Sequence, residues 1–236
     1  GRLMFYDLHI HSCLSPCAED EMTPSNICNM ALIKGLDLIA VADHNSTRQQ
    51  PAMDEVSRRI GIRILYGAEL QSIEEVHILS IFRRLEDNQS FQKWIDEKMP
   101  DIPNDPNYFG KEEIKDGQDQ TVAVESRLLL VSLNASLEEC IDAIHQHHGR
   151  AILAHVLDRQ NSITNQLGFI PEGLPFDGLE IKTEEQKQRV LKMHSWLRED
   201  GTVWFIDSDA HHLVDISEAE HALSAETYQR LWGDGQ

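Results

Sequence analysis

Short runs of apolar, often β-branched residues recur along this 236-residue chain at 4–9, 36–42, 63–67, 76–82, 150–155, 177–182 and 203–208, and helical signals separate most of them. That alternation constrains the fold more than any other feature. Strands joined through helices come to lie parallel, with the helices packed outside an open sheet or a closed barrel, so an α/β architecture is expected. The runs 38–42 and 151–154 are apolar throughout, as strands buried on both faces are. Thr23 and Pro24 read as N-cap and first helical position, with Gly35 as the stop. Ser136 and Glu139 form a capping box, and Thr183 and Gly201 bracket a further helix. The polar stretch 86–122, which holds Pro100, Pro103, Pro106, Gly110 and Gly117, reads as an insertion or lid on a single domain spanning 1–236.

In parallel α/β folds, ligands gather at the C-terminal ends of the strands, and there the sequence concentrates its histidines and acids. His9 and His11 close the first run, and residues two apart on a strand face the same side. Asp43 and His44 follow the second run, Glu69 the third, His77 lies in the fourth, His155 ends the fifth, and Asp209 and His211 follow the last. An imidazole and carboxylate set suits catalytic Zn, Mn or Fe better than a closed structural zinc site. The other six histidines act as a control: His145, His147 and His148 are expected on one helix, His194 on another, and His212 and His221 lie near the C-terminus. They form no comparable pattern.

Composition narrows the partners. With 21 Lys and Arg against 40 Asp and Glu, the formal charge of −19 repels polyanions, so duplex nucleic acid is not expected as a partner and a small phosphorylated substrate is. Bound cations are absent from that count and would dominate the field locally. Cys13, Cys17, Cys28 and Cys140 show no framework spacing and are expected to be reduced thiols. Residues 1–11 carry no apolar h-region and no long apolar run occurs, so a cytoplasmic chain with no membrane partner is expected.

Five motifs in order, DLHIHS at 7–12, ADHN at 42–45, GAEL at 67–70, AH at 154–155 and SDAHH at 208–212, resemble those of the PHP (polymerase and histidinol phosphatase) family. The resemblance implies a distorted seven-stranded β/α barrel of TIM-barrel type and a trinuclear metal centre that hydrolyses phosphate monoesters or phosphodiesters. It assigns His9, His11, Glu69 and Asp209 to one cation, with Glu69 bridging to a second held by His77 and His155, and gives His44 and His211 to a third. Asp43, and in the same way Asp7, would orient a ligand imidazole. The family often carries Asp or His five or six residues beyond the second histidine, where this chain has Pro16 and Cys17. Cys17 is the candidate replacement, with Glu19 or Asp20 as oxygen alternatives and an unused thiol as the plain reading.

Two or three divalent ions suit phosphate-ester hydrolysis by a metal-activated hydroxide. His211 or His212 is the candidate acid for the leaving oxygen. Arg48, Arg127, Arg159 and Lys182 are candidate phosphate contacts, and the stretches 86–122 and 157–175 would set specificity. Two rivals remain at this point: a metal-dependent amidohydrolase, whose barrel also begins with HxH, and a catalytically silent metal- or nucleotide-binding module.

Overall fold

The computed structural model describes residues 2–234. The first half runs β1 (Leu3–Ile10), α1 (Pro24–Ile33), β2 (Leu38–Val41), α2 (Gln50–Ile60), β3 (Arg63–Gln71), β4 (His77–Phe82) and α3 (Leu85–Lys98). An excursion follows, with α4 (Pro106–Phe109), β5 (Glu113–Lys115) and β6 (Thr121–Val124). The second half is α5 (Leu137–Gln146), β7 (Arg150–Leu153), α6 (Ile163–Leu167), β8 (Gly178–Ile181), α7 (Glu184–Met193), β9 (Trp204–Ile206), β10 (Ala222–Ser224) and α8 (Ala225–Trp232). Local signals explain most boundaries. The Thr23 side chain caps α1, Ser136 and Glu139 form the capping box of α5, and Thr183 caps α7. Helix α7 ends at Met193, well before Gly201, and of the three neighbouring histidines only His145 lies inside α5.

The main sheet has the order β10-β1-β2-β3-β4-β7-β8-β9. The pairs within β1–β3 and within β7–β9 are parallel, but β4 is antiparallel to both of its neighbours. The wholly parallel sheet expected from the sequence is corrected here. Residues 72–76, closed by the Ser72 N–H to Val76 O bond at 3.0 Å, are too few for a crossover helix, so β4 must run back along β3. As a result the first residue of β4, His77, lies beside the last residues of its neighbours. An eighth strand, β10, pairs antiparallel with the start of β1.

The sheet curls into a distorted barrel whose seam is closed without a full ladder. A single parallel bridge joins Ile10 to Ala210, Asp207 Oδ1 accepts the Leu8 N–H at 2.8 Å, and Tyr6 Oη accepts the Ile206 N–H at 2.9 Å. Tyr6, Leu8, Leu38, Leu79, Ile152 and Phe205 fill the interior, and Tyr228, Leu231 and Trp232 of α8 plug the end where the parallel strands begin. A larger apolar layer outside the sheet seats α1, α2, α3 and α5. Gly67 permits close approach of β2, since a Cβ there would lie 2.8 Å from Val41 O. No helix among the described residues is long and apolar enough to cross a membrane.

The stretch 86–122 is not uniform. Helix α3 buries Asn88, Phe91, Gln92 and Ile95 against the barrel as the other outer helices do. The β5–β6 part and the Gly110 turn before it lie against the site's entrance loop: Gly110 packs on Pro16, the Glu113 N–H donates to Cys13 O at 3.2 Å, and Asp119 accepts the Thr23 hydroxyl at 2.7 Å.

Candidate metal centre

A register shift in the β1–β2 pairing between Asp7 and Ile10 turns the strand at its end. Tyr6 and Leu8 pack in the interior, Ile10 joins the outer layer, and His9 and His11, both fully buried, converge with residues from the other strand ends. Three overlapping clusters result: His9, His11, Glu69 and Asp209; Glu69, His77 and His155; and His11, His44 and His211.

In the first cluster His9 Nε2 and His11 Nε2 are 3.2 Å apart, each 3.2 Å from Glu69 Oε1, and 3.1 and 2.9 Å from Asp209 Oδ1. A tetrahedron with such edges has its centre about 2.0 Å from every vertex, the length of a Zn–N or Zn–O bond. The other carboxylate oxygen, Glu69 Oε2, lies 3.1 Å from His77 Nδ1 and 3.3 Å from His155 Nε2. That oxygen is buried and has no properly oriented hydrogen bond. Unpaired buried oxygens are costly, and a cation between it and the two imidazoles would satisfy it. In the third cluster the rings of His44 and His211 stack on His11 at centroid distances of 4.5 and 4.4 Å.

The outward nitrogens fix the tautomers. His9 Nδ1 bonds Glu180 Oε2 at 2.9 Å, His11 Nδ1 bonds Ser15 Oγ at 3.0 Å, His77 Nε2 bonds Gln71 Oε1 at 2.9 Å, and His211 Nδ1 bonds Asp209 O at 2.7 Å. Acceptors in these places draw the N–H outward and leave each ring's remaining lone pair for the cluster, which is the arrangement metal-ligating histidines need. The donor set therefore fits divalent cations. Asp43 acts as expected but at one remove: it accepts the Ser15 hydroxyl at 2.7 Å, and Ser15 meets His11. Asp7 instead accepts the backbone N–H groups of Ser208 and Ser217, tying the loop after β9 to β1.

Electrostatics agree with a site prepared for positive charge. Burial opposes ionisation of Asp209 and Glu69, yet the neighbouring imidazoles hold both carboxyls below their ordinary range. Burial likewise opposes protonation of His11, but the bonds to Asp209 and Glu69 outweigh it and bring its pKa up to about 9. Burial lowers the pKa of His44 and His211, with the positive charge of His11 adding to the effect, so both rings stay neutral. Asn45, His155 and Asp209 at the site have left-handed φ of 48°, 28° and 54°.

Other expectations change. Cys17 is exposed and belongs to none of the clusters; Glu19 is engaged by His212 Nδ1 at 2.8 Å, and Asp20 lies on an exposed acidic shelf. Arg48 and Arg127 are engaged away from the clusters: Asp96 holds them at 2.7 and 2.8 Å and Glu125 takes Arg127 Nε at 2.9 Å. Arg159 and Lys182 do reach the site. Both line a cavity of about 180 Å³ beside His155 and Asp209, and Arg159 lies 3.4 Å from Asp209 Oδ2. Lys182, His211 and His212 also line an adjoining cavity of about 680 Å³. Sequence reasoning missed Glu180, which also accepts the His155 backbone N–H at 2.8 Å. Its one signal was an acid inside an apolar strand run.

A profile of the PHP domain family matches residues 7–170. An uncharacterized protein of Methanocaldococcus jannaschii is 30% identical over 78 residues, a match covering 29% of this chain and 44% of that one, less than half its length. Three solved structures share the fold. A protein of Bifidobacterium adolescentis assigned as a metal-dependent phosphoesterase is 19% identical, with TM-score 0.62 over 98% of this chain and 96% of its own. An amidohydrolase of Chromobacterium violaceum, with bound sulfate, is 18% identical, with TM-score 0.59 over 97% and 96%. An endonuclease Q in complex with a 27-mer duplex bearing an abasic lesion is 19% identical, with TM-score 0.61 over 90% of this chain and 50% of its own. The last of these corrects the exclusion of duplex nucleic acid. That protein, half of whose length this chain matches, binds a duplex, and net charge summed over a whole surface does not describe the field where a phosphate would sit.

Proposed function

Because the chain belongs to the PHP domain family, we propose that it hydrolyses a phosphate ester with two or three divalent cations held at the three His and carboxylate clusters. The observation that carries this reading is Glu69, whose two carboxylate oxygens face two different imidazole groups and so can join two cations. His9, His11, Glu69 and Asp209 would hold the first, Glu69, His77 and His155 the second, and His44 and His211 the third, beside His11, whose one free lone pair serves the first. Bound there, such cations polarise phosphoryl oxygens and lower the pKa of water. Zn, Mn and Fe all suit the donors.

The chain's own groups do the rest. Glu180, Ser15 and Gln71 keep His9, His11 and His77 in the tautomers that leave the inner nitrogen free. Arg159 and Lys182 approach the phosphate from the small cavity and neutralise its outer oxygens. His212, exposed on the larger cavity and paired with Glu19, is the better leaving-group acid, because His211 is held neutral and turned toward the cluster. A cavity of about 680 Å³ beside the centre has room for a small phosphorylated metabolite or nucleotide.

A second reading is cleavage of a phosphodiester in a lesion-bearing duplex, favoured by the likeness to endonuclease Q; half of that protein has no counterpart here. The test is turnover by chelator-stripped protein reloaded with Mn, Zn or Fe, on an aryl phosphate, a nucleotide panel and an abasic-site duplex. Metal-dependent release of phosphate from small esters, lost in His9→Ala, supports the first reading. Strand scission alone favours the second. Tight metal binding with no turnover on any phosphate returns the case to an amidohydrolase or a silent module.

A further inference from the structure

At the end opposite the histidine clusters α8 plugs the barrel, and a side mouth remains between that plug and the strand starts. There a cavity of about 670 Å³ opens between the starts of β1 and β3, the end of α2 and the first turn of α8. Because β4 runs backwards, its far end delivers Arg83 to this mouth beside Arg63, and Arg2 lies on the same wall. Two carboxylates reach the cavity, and both are engaged: Asp234 pairs with Arg83 at 2.5 Å, and Asp37 accepts the Phe5 N–H at 2.9 Å. Among the described residues no carboxylate lies within 4.0 Å of Arg2 or Arg63.

Arg63 is nevertheless held in place. Its guanidinium lies 4.9 Å over the Tyr228 ring and donates to Tyr228 Oη at 3.1 Å. Stacking fixes the plane of a guanidinium while leaving its remaining N–H groups for an anion. Met4, Leu36 and Ile62 supply an apolar wall next to it. In a chain of net charge −19 the long-range field discourages anions, so one that binds here must be held by short, oriented contacts. A cavity with one oriented cation, a second beside it and an apolar wall matches an anionic group carried on an apolar or aromatic body.

We propose that this mouth is a binding site for a small organic phosphate of nucleoside-monophosphate size, with Arg63 and Arg2 on the phosphate and Met4, Leu36 and Ile62 along the body. It shares no residue with the two cavities at the metal clusters and does not rest on the phosphoesterase reading.

Calorimetric titration of the metal-loaded full chain with the 5′-methylenephosphonate analogue of AMP, whose P–C bond resists hydrolysis, tests the proposal. One binding event should weaken by about tenfold or more in Arg63→Ala, the loss expected when a charge-assisted hydrogen bond is removed, and by a smaller factor in Arg2→Ala. Arg159→Ala, at the other end of the barrel, should leave that event unchanged. Arg2 is exposed and outside the stack on Tyr228, so its variant decides the matter if Arg63→Ala loses its fold. Binding equal to wild type in both variants, or the absence of any binding that depends on them up to millimolar ligand, overturns the proposal.

Discussion

Glu180→Gln is the perturbation that most sharply separates a built metal centre from a chance cluster of histidines. The carboxylate of Glu180 receives the Nδ1–H of His9, at 2.9 Å from one oxygen and 3.1 Å from the other, and the His155 backbone N–H at 2.8 Å. Glutamine has the same shape but one acceptor oxygen. If that oxygen stays on the His155 N–H, the new NH₂ faces His9 Nδ1–H and two donors meet. Imidazole escapes the clash by moving its proton to Nε2, the atom that faces Glu69, Asp209 and His11, and a protonated Nε2 cannot bind a cation. The cost of upsetting such a partner is about 10- to 100-fold in metal affinity, or about 1.4–2.8 kcal/mol. Competition titration with a chromophoric chelator, alongside a melting curve to establish that the fold persists, measures it. Affinity within twofold of wild type in a folded Glu180→Gln protein would refute the tautomer argument.

Other expectations follow from the same geometry. Chelation should lower Tm by on the order of 10 °C, since ions present at about a thousand times Kd contribute about 4 kcal/mol and a chain this long shifts about 2–4 °C per kcal/mol; scanning calorimetry with and without chelator reads this. In metal-free protein His11 has its pKa raised to about 9, so its contribution to stability is complete below its unfolded value near 6.5 and lost as pH rises to about 9. Melting temperatures of chelated protein should therefore fall across that window, whereas metal-loaded protein, which needs neutral imidazole, should show no such fall. Arg159→Ala should raise KM for a phosphate ester about tenfold with metal content unchanged, while Arg48→Ala, tied to Asp96 on the outside, should alter KM by less than about twofold. Cys17→Ser should retain full metal content by elemental analysis, because the thiol belongs to none of the clusters.

Much of the cluster was legible in the sequence because its histidines and carboxylates sit in short motifs at the ends of apolar runs, where α/β topology gathers them whatever the details of packing. The reversal of β4 was legible in principle, since five residues between Gln71 and His77 cannot hold a crossover helix; reading alternation alone passed over it. Partners of the ligands were harder. Glu180 meets His9 only after the barrel closes, across 171 residues, and although Ser15 is near His11 in sequence, nothing local marks a serine as the link between Asp43 and an imidazole. The pairing of Arg48 and Arg127 with Asp96 was hidden likewise, because Asp96 is brought by α3, whose placement the sequence did not reveal. The strand β10 is three residues long, below what a pattern of apolar residues can signal.

The central claim is that Glu69 joins two cations and that phosphate-ester hydrolysis depends on the pair. Metal content per chain and aryl phosphate turnover, measured side by side for wild type and Glu69→Gln, test it most directly. Two or three ions and metal-dependent turnover are expected in wild type, with at least one ion and nearly all turnover lost in a Glu69→Gln protein that still folds. Full metal content and undiminished turnover in that variant would contradict it.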